Sequence, residues 1–327
     1  MLKIQILLSV ILAVFLFIPA LAQTQNNKQN EIEEPVIKVD VDLVSFDAHV
    51  LSKTTSNPVK GLTKENFEVY EDDIKQEITN FSQDKLPLSV LLLVDVSGSI
   101  RPFETQIREA AIKALEMLKP EDEVSVMAFG TGTAALETFT TDKQLIINNL
   151  EKVKSVAMQF GRGTDFNNAV GDVIYHIRTY SKSNYRKVVI VITDNIFLKP
   201  KSKEKKEAIK NLLENNININ CLIVQDEKQS KKVLRFASQI TERIDDYVDE
   251  TGGEIFDTTK SSILEEFVRL IEHLRARYSI GYFSSNIKTD NKLRKIKVKV
   301  ISRDLESTIN KDDVVIKARR GYYAGKK

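Results

Sequence analysis

One cysteine in 327 residues leaves no internal disulfide to form. Cys221 lies in the apolar run Ile219 to Val224 and reads as a core thiol, not a nucleophile. Histidine is almost as scarce. His49, His176 and His273 stand far apart in the sequence without metal-ligand spacing, so no zinc site is expected. A formal net charge of only +2 gives no bulk electrostatic footprint for nucleic acid. Beyond the N-terminus no apolar run approaches the ~20 residues that a bilayer span requires, so the mature chain is not expected to cross a membrane. No Ser-His-Asp set or Gly-rich phosphate cradle appears, and the folded part carries no low-complexity tract or repeat.

What is present begins with a signal-peptide pattern over residues 1–22. Lys3 supplies the positive start, Ile4 to Ile18 is apolar apart from Gln5 and Ser9, and Ala20-Leu21-Ala22 follows Pro19 as a small-x-small cleavage site. No Cys follows the apolar stretch, which excludes a lipoprotein anchor, while an uncleaved N-terminal anchor stays open. The expected location is exported, periplasmic or secreted. Residues 23–34 are polar and aperiodic, a linker. The 42% of hydrophobic residues suits a folded chain, and the length left allows one large domain or two ordinary ones.

Three stretches of different character follow. Residues 35–84 hold short alternating strands joined by tight turns, as in Val39 to Val50, Phe67-Glu68-Val69-Tyr70 and Ile78 to Phe81. Residues 85–277 alternate strand and helix. Leu88–Val94 and Lys187–Thr193 are continuous apolar runs, as strands buried on both faces require. Strands are also expected over 123–129, 217–224 and 253–256, and helices over 103–118, 142–153, 166–180, 204–215, 230–240 and 262–277. Residues 278–324 return to β character. Lys295-Ile296-Lys297-Val298-Lys299-Val300 there alternates apolar residues with lysines that read as a solvated face. The expected fold is therefore α/β: a doubly wound, mostly parallel sheet with helices on both faces, plus a β-sandwich-like domain. Neither flank has enough strands to bury a core alone, so 35–84 and 278–324 are expected to build that sandwich together.

The chemistry concentrates at strand ends. Asp95-Val96-Ser97-Gly98-Ser99 closes the first apolar run, where open α/β sheets bind ligands. Asp95 offers a carboxylate, and Ser97 and Ser99, two apart, point the same way. Gly98 lets the turn pass close to an ion. Gly161-Arg162-Gly163-Thr164-Asp165 is a Gly-flanked loop before a helix, able to present the Thr164 hydroxyl, and Asp165 there reads as an N-cap. Asp194 follows the second buried run. Oxygen ligands alone suit a hard cation such as Mg²⁺, with Mn²⁺ or Ca²⁺ as substitutes.

These three elements, in this order, resemble the metal-ion-dependent adhesion site of von Willebrand factor A (VWA) and integrin I domains, over roughly residues 87–276. The resemblance implies Ser97, Ser99 and Thr164 as hydroxyl ligands, with Asp95 and Asp194 holding the ion directly or through water. Asn195 departs from the glycine that often follows the last Asp. The flanks, through Val39 to Val44, Gly61 to Val69 and Ala318-Arg319-Arg320-Gly321-Tyr322-Tyr323, are similar to an exported "VWFA-related" family best known from Acidobacteria. The implied function is binding of a protein ligand whose acidic residue caps the metal, in adhesion or assembly, with no reaction catalysed. An accessory subunit recruiting clients to an envelope complex is the alternative. A Mg²⁺-dependent hydrolase using Asp95 fits less well, because the acid/base carboxylate expected two residues on is Ser97. Lys199, Lys201, Lys203 and Lys205, just beyond Asp194, form a basic segment expected at the partner surface.

Overall fold

The computed structural model describes residues 43–156, 159–160, 163–225, 241–301 and 313–325. The expected signal peptide, the linker, the start of the first strand and the helix over 230–240 lie outside the described residues. Four strands come first: β1 (Leu43–Ser52), β2 (Phe67–Glu71), β3 (Ile74–Gln76) and β4 (Ile78–Gln83). The chain then runs β5 (Leu88–Asp95), α1 (Glu104–Glu116), β6 (Glu123–Phe129), β7 (Thr133–Thr140), α2 (Lys143–Leu150) and α3 (Phe166–Tyr180). It continues through β8 (Arg186–Thr193), β9 (Phe197–Leu198), α4 (Ser202–Glu214), β10 (Ile217–Val224), β11 (Thr241–Glu242), α5 (Asp245–Thr251), β12 (Ile255–Thr258) and α6 (Ile263–Arg275). Last come β13 (Tyr278–Phe283), β14 (Leu293–Val300), β15 (Val314–Ala318) and β16 (Gly321–Tyr323).

The large sheet has the order β12-β10-β8-β5-β6-β7, parallel throughout except for the β6–β7 pair. Its central strands are apolar at nearly every position because helices cover both faces. Leu88, Val90, Leu92 and Val94, with Val188, Ile190 and Ile192, pack against α1, α2 and α6. Their alternates Leu91, Leu93, Val189 and Val191 pack against α3, α4 and α5. Each such aliphatic side chain, fully buried, contributes about 2 kcal/mol. This is the doubly wound α/β arrangement. Cys221 sits inside the second of these cores.

β7 and α5 are not foreseen by the sequence reading, for physical reasons. β7 is an edge strand, half-buried or exposed at every position, and so carries no apolar run. α5 has only seven residues, too few to register a helical period, and four of them are acidic. Gly252 ends it with φ of +73°, and a Cβ there would lie 2.4 Å from the Ala318–Arg319 backbone. That close approach demands glycine. The strand expected over 253–256 lies two residues later, at β12.

The flanking segments form two antiparallel sheets, β15-β1-β13-β4 and β16-β14-β2-β3. β1, from the N-terminal flank, pairs with β13 and β15 of the C-terminal flank, and β2 pairs with β14. The two flanks share one core, in which Phe46, Val50, Phe67 and Val69 meet Tyr278, Ile280 and Tyr282. A polar node crosses it as well. The buried Glu71 accepts hydrogen bonds from Tyr282 Oη (2.8 Å), Ser284 Oγ (2.7 Å) and Tyr322 Oη (3.0 Å). Lys295, Lys297 and Lys299 of β14 are exposed, as their alternation implies. Among the described residues no helix is long and apolar enough to cross a membrane.

Candidate metal centre

β8 lies beside β5, yet the chain leaves β5 for β6 on the other side before returning. The crevice beyond the carboxyl ends of strands at such a reversal is where open α/β sheets bind ligands. Asp95 is the last residue of β5, and Asp194 directly follows β8.

Asp95 is buried, and both its oxygens are in use. Oδ1 accepts from the Ser97 backbone N–H (2.8 Å), closing the turn that aims the serines, and Oδ2 accepts from Thr193 Oγ1 (2.7 Å). Ser97 Oγ and Ser99 Oγ lie 3.0 Å apart. The Ser99 hydroxyl bonds the Asp194 carboxylate, whose Oδ1 also accepts from Ile196 N–H (3.2 Å). Burial and the neighbouring Asp194 charge push the Asp95 carboxyl up to about 7. Burial raises Asp194 as well. Among the described residues neither carboxylate makes an ion pair. Two carboxylates and two hydroxyls thus converge with no ion-paired cation among the described residues, an arrangement that fits a hard divalent cation.

Thr164 belongs to the same end of the sheet but joins the group through its backbone. It is buried, and its carbonyl accepts from Leu198 N–H (2.8 Å), in the segment after Asp194. Gly161 and Arg162 lie outside the described residues. Asp165 caps α3, accepting from Asn168 N–H (3.0 Å). Asn195, where glycine often stands, takes φ of +61°, the left-handed turn that Asn tolerates. Its side-chain oxygen accepts from Ile244 N–H (2.8 Å), which pins the turn. A Cβ on Gly98 would meet nothing within 4 Å, so protein packing alone does not require glycine there.

Thr193 is the residue that the sequence reading misses. Fully buried, it donates to Asp95 and accepts from Asn195 N–H (3.1 Å), tying the two strand ends together. Its only signal is a hydroxyl ending an otherwise apolar run. The basic segment also needs correction. Lys199, Lys201 and Lys203 are exposed, but Lys205 is clamped between Glu242 and Asp246 with its side chain only 14% exposed. Those two carboxylates raise its pKa against the effect of burial. Lys205 is therefore spent on an internal pair and does not belong to the partner surface.

The histidines need correcting too, for two of them are neighbours in space. The His49 and His273 rings lie 5.1 Å apart, and their Nδ1 atoms bond the two oxygens of Glu254, at 2.7 and 3.1 Å. The ligand atoms of the three residues fall within 4.8 Å of one another. The Arg277 guanidinium, however, stands 3.6 Å from the same carboxylate. It supplies the positive charge that a metal would bring, so the cluster closes as a buried Arg277–Glu254 charge pair flanked by the two imidazoles. Among the described residues the Asp95–Asp194 pair has no such ion-paired cation, which makes it the better candidate for a metal.

Solved structures with related folds agree only distantly. BatB from Bacteroides thetaiotaomicron is 16% identical, with 56% of this chain and 98% of that one covered and a TM-score of 0.41. A von Willebrand factor type A protein from Catenulispora acidiphila is 10% identical over 88% of this chain and 73% of that one, with a TM-score of 0.45. Proximal thread matrix protein 1 from the mussel byssus is 12% identical over 60% and 50%, also with a TM-score of 0.45. No functionally curated protein matches the chain by sequence. Residues 90–196, from β5 through the Asp194 turn, match the model of the von Willebrand factor type A domain family.

Proposed function

We propose that this protein is an exported binding module that grips a protein partner through a divalent cation held by Asp95, Ser97, Ser99, Thr164 and Asp194. Mg²⁺ is the first candidate, with Mn²⁺ or Ca²⁺ as substitutes. The observation that carries this reading is the buried pairing of Asp95 with Asp194, which among the described residues makes no ion pair. Two like charges held out of water are costly unless something positive joins them. When bound, the cation offers an open position to a carboxylate of the partner. Thr193 and the Ser97 backbone fix the Asp95 oxygens, while Ser97 and Ser99 contribute neutral hydroxyls that leave much of the positive charge for the partner. Lys199 and Lys203 stand on the segment leaving this edge and would speed the approach of an acidic partner. Export rests on the pattern of residues 1–22. No catalytic step is assigned, since Ser97 stands where an aspartyl hydrolase would need its second carboxylate.

Titration calorimetry of the full chain with Mn²⁺ and Mg²⁺ tests the centre. One saturable site is expected, lost in Asp95→Asn with the fold intact by circular dichroism. Absence of saturable binding, or equal binding by the variant, would overturn the reading.

A further inference from the structure

At the opposite edge of the large sheet, about 25 Å from Asp95 along an eight-residue strand, a cavity of about 220 Å³ lies against the small sandwich. Its walls come from the beginnings of β8 and β10, from β1, and from Arg319 just after β15. Three of the lining residues are cationic, Arg186, Lys187 and Arg319, against the single carboxylate of Asp47.

The charges do not balance. Arg186 uses Nε on Asp47 (2.9 Å) and Nη2 on the Leu274 carbonyl (2.8 Å), which leaves Nη1 buried without a partner. Arg319, only 9% exposed, donates from Nη1 to Asn216 Oδ1 (2.8 Å), and its Nε is also buried and unpartnered. Among the described residues Arg319 makes no ion pair, and burial lowers its pKa to about 10. Lys187 makes none either, and burial together with Arg178 lowers its pKa. A buried guanidinium without a carboxylate is expensive. A fold that keeps one beside a second guanidinium and an ammonium, around open space, is shaped for an anion.

We propose that this cavity binds a small oxyanion, a carboxylate or phosphate group, held by Arg319 and Lys187, with the Arg186 guanidinium adding positive charge from the wall behind. At about 220 Å³ it is smaller than the roughly 300 Å³ of ordinary ligand pockets, so the occupant is a compact anion and not a peptide. Planar guanidinium forks suit either carboxylate or phosphate oxygens. The bound anion touches both the sandwich, through Arg319, and the large sheet, through Lys187, and so fastens one to the other.

The test is calorimetric titration of the full chain with inorganic phosphate and, separately, with succinate, in EDTA and at an ionic strength fixed with chloride. EDTA keeps the outcome independent of the metal centre. Saturable binding of at least one anion is expected, weakened at least about tenfold in Lys187→Gln and in Arg319→Met. Asp47→Asn, which removes the opposing charge, should strengthen it. Which anion binds separates phosphate from carboxylate. If neither binds more tightly than about 10 mM, or if the cationic variants bind as well as wild type, the proposal fails. Lys187 is only half-buried, so its variant decides the matter even if Arg319→Met does not fold.

Discussion

His49 sets up an acid-sensitive joint between β1 and the large domain. It is fully buried with its Nδ1 on Glu254, and burial, only partly offset by Glu254, lowers its pKa from 6.5 to about 4. The direction fixes the sign. Above pH 6.5 the imidazole is neutral whether the chain is folded or not, and it favours neither state. Between pH 6.5 and 4 the unfolded chain takes up a proton that the folded one refuses, so stability falls with pH. Once pH is below the lower value the loss amounts to about 3 kcal/mol, a large share of a typical domain's 5–15. Hydrogen bonds from His273 and His49, with the Arg277 charge, outweigh burial and hold the Glu254 carboxyl below its usual range. Its contribution is present above pH 4.5 and fades only at lower pH. The assay is urea unfolding of wild type and His49→Gln at half-unit steps from pH 7 to 4. Glutamine keeps a donor for Glu254 but does not titrate. The wild-type curve should fall more steeply by about 3 kcal/mol across that window. Parallel curves would refute the assignment, because His176, whose pKa burial also lowers, is present in both proteins.

Thr193→Val should destabilise the fold by about 1–2 kcal/mol and weaken Mn²⁺ binding, as Asp95 loses a donor. Denaturation and calorimetry together check this, and unchanged Mn²⁺ affinity would count against the positioning role. Glu71→Ala leaves the hydroxyls of Tyr282 and Tyr322 without their acceptor, while Ser284 keeps the Asn286 carbonyl, and should cost about 3 kcal/mol, with Glu71→Gln recovering part of it. Deleting residues 278–327 removes every partner of β1 and the main partners of β2 and β4, so residues 43–84 should become protease-sensitive. Resistance of that segment would show that it folds without the other flank.

Sequence made the large sheet readable because its central strands are buried on both faces, which leaves unbroken runs such as Leu88–Val94. The strand ends then marked Asp95 and Asp194 by position alone. β7 left no such trace, since an edge strand half in water needs no apolar pattern. The His49–Glu254–His273 cluster was illegible for another reason: 205 residues separate His49 from Glu254, and only the pairing of β1 with β13 and β15 carries it to the large domain. Lys205 shows the converse error, where a lysine in a basic run is taken up by acids from β11 and α5, elements absent from the sequence reading.

The interleaving of the flanks also sets an order of events at the ribosome and beyond it. β1 waits for β13, about 230 residues later by register, and then for β15. Synthesis at about 5–20 residues per second makes that interval about 12 to 46 seconds. The large sheet has most of its strands by β10 and the last at β12, just before β13 emerges, whereas β1, β2 and β4 sit until then with unsatisfied edges and exposed apolar faces. Pairings this distant in sequence form slowly. The sandwich is therefore the last part to close and the stretch most open to chaperones, proteases or pairing with a second chain while the protein is being made.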